Sequence, residues 1–109
     1  MKAYMKDGVP TLVVEDPAAL TDYALIDVRG ADEFTGELGH VAGARLVTLG
    51  AALDEYLRSA PKSQKTLFIC RSGARSARAT LQALEIGFTD AYNMEGGMLH
   101  WKAKGLAVE

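Results

Sequence analysis

Two five-residue runs, Ala24-Leu25-Ile26-Asp27-Val28 and Thr66-Leu67-Phe68-Ile69-Cys70, are apolar almost without a break. A strand with one face in water alternates apolar and polar residues. A near-continuous apolar run suits a strand covered on both faces, as in a parallel sheet. Helix-like segments alternate with these runs. From about Ala51 to Ala60, Leu53, Tyr56, Leu57 and Ala60 recur at spacings of three and four residues, the stripe of an amphipathic helix. A second helix is expected from about Arg75 to Glu85, with Ala77, Leu81 and Leu84 facing inward and Gly87 closing it. Further strands are expected at Thr11–Val14, Leu46–Leu49 and Ala91–Met94. A short helix opens on Pro17 and runs to Leu20, and a closing amphipathic helix lies around Trp101. The pattern predicts an α/β fold: a central, mostly parallel sheet of about five short strands flanked by helices on both faces.

A length of 109 residues suits one domain spanning residues 1–109. Twelve basic and fourteen acidic residues give a formal charge of −2, which argues against nucleic acid or a membrane surface as partner. Any anion must then be met by a local cluster of donors. Cys70 is the only cysteine, so no intramolecular disulfide forms. His40 and His100 are too far apart in sequence for a zinc site of the usual Cys/His kind, and no metal is expected. Met1-Lys2-Ala3-Tyr4-Met5-Lys6-Asp7 lacks the apolar core of a secretory signal, and a cytoplasmic setting is expected.

The chemistry is concentrated where the strongest strand hands over to a helix, at Cys70-Arg71-Ser72-Gly73-Ala74-Arg75-Ser76. Ligands of parallel α/β sheets bind at this carboxyl end of a strand. A tight loop there turns successive backbone N–H groups inward as an anion cradle, and the helix N-terminus adds partial positive charge. Gly73 gives the curve its conformational freedom. A lone cysteine in an ordinary domain reads as a buried core residue. Here the arginines at positions 71 and 75 and the glycine between them point instead to a thiolate held by donors. Arg71 reads equally well as an outward-pointing side chain or a substrate contact, and Arg78 as a surface charge.

This loop resembles that of the rhodanese, or sulfurtransferase, family, in particular its single-domain members. Asp27-Val28-Arg29, Glu33-Phe34, Gly39-His40-Val41-Ala42-Gly43-Ala44 and Asn93-Met94-Glu95-Gly96-Gly97 followed by Trp101 are similar to segments that flank the family's loop in the same order. The resemblance implies that Cys70 accepts a sulfane sulfur and becomes a persulfide. It implies that Arg71, Ser72, Gly73, Ala74, Arg75 and Ser76 bind a small anionic donor such as thiosulfate. The sulfur then passes to cyanide or a thiol, with no metal or organic cofactor. Asp27 and Arg29 are expected as a structural ion pair, and His40 as a brace for its glycine-flanked turn. Glu37-Leu38 lengthens the stretch before Gly39 by two residues relative to many members and should alter a loop at the rim.

Two other functions compete. A cysteine phosphatase or arsenate reductase of the same fold carries one more residue between cysteine and arginine than the four of Arg71–Ala74, giving a larger cradle. A sulfur-relay or regulatory module would use the same persulfide and pass it to a partner protein.

Overall fold

The computed structural model describes residues 1–109. Its six strands are β1 (Lys2–Lys6), β2 (Val9–Val13), β3 (Ala24–Asp27), β4 (Arg45–Leu46), β5 (Thr66–Ile69) and β6 (Ala91–Met94). They form one sheet in the order β1-β2-β6-β5-β3-β4, in which only the β1–β2 pair is antiparallel. The helices are α1 (Ala31–Phe34), α2 (Ala51–Ser59), α3 (Ala74–Glu85) and α4 (Gly97–Ala103), with a 3₁₀ turn at Pro17–Leu20. The expected α/β class and mostly parallel sheet are present. No helix is long and apolar enough to cross a membrane.

β5 shows why its sequence is apolar throughout. Leu67 and Ile69 enter the cluster that contains Leu20, Met98 and Trp101. Phe68 and Cys70 enter the opposite cluster with Leu53, Leu57, Ala79 and Ala83. Alternate side chains of one strand thus feed both cores. From β5 the chain crosses through α3 to β6 on one side, whereas from β3 it passes to β4 on the other. The carboxyl ends of β3 and β5 therefore meet at the point where strand order reverses, which opens a crevice there.

The structure corrects several expectations. The hairpin β1–β2 adds an edge strand, and β2 starts two residues earlier than expected. The strand expected at Leu46–Leu49 is confined to Arg45–Leu46, and α1 is an additional helix. In α3 the inward face is Ser76, Ala79, Thr80 and Ala83, while Leu81 is 45% exposed and Ala77 and Leu84 are half-buried. Small side chains bring α3 close against the sheet; hydrophobicity alone favours the leucines, but close approach favours the small face.

Candidate active site

The loop after β5 is shaped from beneath by α4. Met98 N–H donates to Cys70 O at 2.9 Å and Leu99 N–H to Arg71 O at 3.0 Å. A trans peptide points its N–H opposite to its carbonyl. Tying these two carbonyls to α4 therefore turns the N–H groups of Arg71 and Ser72 away from it. Gly73, at φ +107°, makes the bend into α3, and its carbonyl accepts from Ala77 N–H at 3.0 Å and Asn93 Nδ2 at 3.1 Å. The N–H groups of Arg71, Ser72, Ala74, Arg75 and Ser76 have no acceptor within the chain. Three of them belong to the first turn of α3, where such groups are free by construction.

Cys70 lies on the floor of this loop, 1% exposed. Its Sγ accepts from Gly73 N–H at 3.1 Å and lies 3.2 Å from Ser76 Oγ, which in turn lies 2.5 Å from Asn93 Oδ1. The two arginines differ. Arg71 is exposed and makes no ion pair. Arg75 is held by Glu33 of α1 through two bonds of 2.7 Å. The Arg75 guanidinium, aided by the Gly30 N–H, holds the Glu33 carboxyl far below its usual 4.5, at about 2. The pair thus ties the start of α3 to α1.

A carboxyl depressed in the folded state contributes stability that is present above its unfolded value and lost as pH falls through the folded one. The melting-temperature advantage of wild type over Glu33→Gln should therefore be constant above about pH 4.5 and close between there and about pH 2. A gap that stays the same across that range would assign Glu33 a role other than its charge.

Asp27 and Arg29 form a buried pair, with Arg29 Nε to Asp27 Oδ1 at 2.9 Å and Nη2 to Oδ2 at 2.8 Å. Arg29 Nη2 also reaches Gly39 O at 2.8 Å, and Arg29 O accepts from Thr48 Oγ1 at 2.8 Å. The pair thereby joins the end of β3 to the two loops beyond it. His40 stacks on Phe34 with ring centroids 3.8 Å apart, and its Nδ1 lies 2.9 Å from Phe34 O. Its polar contacts are with Phe34 and Glu109, not with residues 70–76.

Two clefts flank the loop. One of about 350 Å³ runs between Arg71 and the segment at Glu37 and Leu38, which places that segment at the rim. The other, about 230 Å³, lies between Ser72, Asn93 and the β1–β2 turn. On that side Tyr4 Oη donates to Glu95 Oε2 at 2.7 Å, which holds the Glu95 carboxyl below its ordinary value. The largest cleft, about 600 Å³ between β4 and α2, lies away from Cys70 and is lined by none of the loop residues 70–76. In the sequence, Glu33 and Asn93 stand out only as parts of motifs. Their partners lie 42 and 17 residues away, beyond the reach of local spacing.

Residues 13–104 match the Rhodanese-like domain family. The chain is 33% identical over 79 residues to the thiosulfate sulfurtransferase GlpE of Pseudomonas putida, covering 72% of this chain and 69% of GlpE. It is 34% identical, over a stretch that is 72% of this chain and 20% of the other, to the probable adenylyltransferase/sulfurtransferase MoeZ of Mycobacterium tuberculosis. Among solved structures, the human single-domain sulfurtransferase TSTD1 superposes with a TM-score of 0.76 at 25% identity, covering 89% of this chain and 98% of TSTD1. The family match runs from the last residue of β2 through the Cys70 loop to just past the end of α4. With the fold, the loop and these relatives in agreement, the chain belongs to the rhodanese-like family.

Proposed function

We propose that the protein is a sulfurtransferase working by double displacement through a Cys70 persulfide. The observation that carries the reading is the loop itself: a buried sulfur beneath five amide N–H groups that have no acceptor in the chain. The Cys70 thiolate attacks the outer sulfur of a thiosulfate-like donor. An S–S bond forms to Sγ, the donor's S–S bond breaks, and sulfite leaves with the electron pair. An acceptor such as cyanide or a thiol then attacks the outer sulfur and returns the thiolate. The amides and the helix start stabilise negative charge on the transferred sulfur. Arg71 is the arginine open to the donor's anionic end, whereas Arg75 is engaged by Glu33 and acts through the shape of the loop. Neither half-reaction calls for a metal or organic cofactor. Transfer to a thiol on a partner protein would use the same two steps.

The test is an intact mass of the reduced protein after brief exposure to thiosulfate. One added sulfur, removed by cyanide, is expected. Absence of that sulfur from both thiosulfate and a glutathione persulfide donor would overturn the reading, and rapid hydrolysis of an aryl phosphate would replace it with the phosphatase one.

A further inference from the structure

The Ser76 hydroxyl carries one proton and has two neighbours that can take it. Its Oγ is 3.2 Å from Cys70 Sγ and 2.5 Å from Asn93 Oδ1. The Asn93 amide is not free to turn over. Its Nδ2 donates to Gly73 O at 3.1 Å, and the residue is buried in β6 with Thr11 beside it on one strand and Phe68 on the other. Oδ1 must therefore face Ser76, and two oxygens this close need a proton between them. With Cys70 as a thiol, Ser76 donates to Asn93, and the S–H donates to a lone pair of Ser76. Gly73 N–H meets a sulfur lone pair.

Ionisation disturbs this arrangement. The S–H proton departs to water, and Sγ and Oγ then face each other with no proton between them. The Ser76 O–H must turn to the sulfur, which leaves Oδ1 facing Oγ unshared. We propose that Asn93 is a positioning residue that competes with Cys70 for the Ser76 proton and keeps the sulfur more basic than the loop's donors alone would leave it. The inference rests on the sulfurtransferase reading for its purpose. A loop with many anion donors over-stabilises a thiolate, and intrinsic nucleophilicity falls as basicity falls. Asn93 offsets that loss.

Cys70 is the only cysteine, so alkylation by iodoacetamide reports on it alone. The charged groups on surrounding elements are Asp27 at the end of β3 and Arg29 after it, Glu33 on α1, Lys6 and Asp7 at the β1–β2 turn, Arg71 and Arg75 on the loop and α3, Glu95 after β6 and His100 on α4. All are retained in every variant. Asn93→Ala should move the pH–rate profile about half to one unit toward lower pH, while the high-pH plateau falls roughly twofold. Asn93→Val, a strand former with no acceptor, should do the same and serves if the alanine variant fails to fold. Added to Ser76→Ala, either change should move neither quantity. An unmoved profile, a shift toward higher pH as a loosened Gly73 would give, or the same shift in the Ser76→Ala background would overturn the proposal. Sulfur loading of the same samples separates the two readings: a shift without loading keeps the role of Asn93 and rejects sulfur transfer, and loading without a shift does the reverse.

Discussion

Gly97→Ala is expected to destabilise the fold by roughly 3–5 kcal/mol, a fall in melting temperature on the order of 12 °C or more for a domain of this size. Gly97 has φ +58°, and a Cβ there would stand 2.5 Å from both Cys70 O and Arg71 O and 2.6 Å from Arg71 C. These atoms are backbone and cannot swing aside as a side chain could. They are also the carbonyls that α4 holds through Met98 and Leu99. Relief of the clash has to push the Cys70 loop away from α4 and release the N–H groups of Arg71 and Ser72 from their orientation. Sulfur loading should therefore slow in whatever fraction remains folded. Gly105→Ala is the control: its φ is +74°, but the space for a Cβ is open, so it bears the backbone term alone, about 1–2 kcal/mol. Equal melting temperatures for the two variants would show that the contact between α4 and the loop is not what holds the cradle.

The parts legible in the sequence are those whose signal is local. β5 announces itself because every residue from Thr66 to Cys70 is buried, and Leu67, Ile69, Phe68 and Cys70 divide between two cores. Asp27 and Arg29 are two residues apart at a strand end, so their pairing was within reach of spacing. The β1–β2 hairpin had a signal in Asp7-Gly8, both at positive φ, which is the dipeptide expected in a tight hairpin turn. That signal is weak on its own because β1 carries no apolar alternation: it is an edge strand with exposed Lys2, Met5 and Lys6. Such lysines also guard a free edge against pairing with another chain. The face of α3 centres on Ala79 and Ala83, with Leu84 packed beside them and Leu81 exposed, because helical periodicity weights large side chains whereas the sheet accepts small ones. Contacts such as Glu33 with Arg75 and Ser76 with Asn93 join segments that only the fold brings together. In each case a recognised motif marked the residue, and the geometry supplied the reason for it.

Cys70→Ala should reduce sulfur transfer by at least about 10³-fold while changing stability by only about 1–2 kcal/mol. The loss is large because no neighbouring group can replace the sulfur as nucleophile. Ser76 Oγ, the nearest hydroxyl, is engaged with Asn93 and lacks a base to activate it. The cost to the fold is small because the substitution removes one sulfur atom from an otherwise unchanged strand end. Its Gly73 N–H then joins the five amides that already lack an acceptor. Those amides and Arg71 survive the change, so affinity for sulfite or thiosulfate should persist within a few-fold. Binding and chemistry thus separate in one variant. Calorimetric titration with sulfite would read the first, and intact mass after thiosulfate the second. Retained transfer in Cys70→Ala would dismiss the persulfide route altogether. Loss of both anion binding and transfer would show that the sulfur itself, rather than the amides, organises the pit. Loss of transfer alone is the outcome that the geometry requires, because the loop is held by α4, Asn93 and the Glu33–Arg75 pair, none of which touches the site through Sγ.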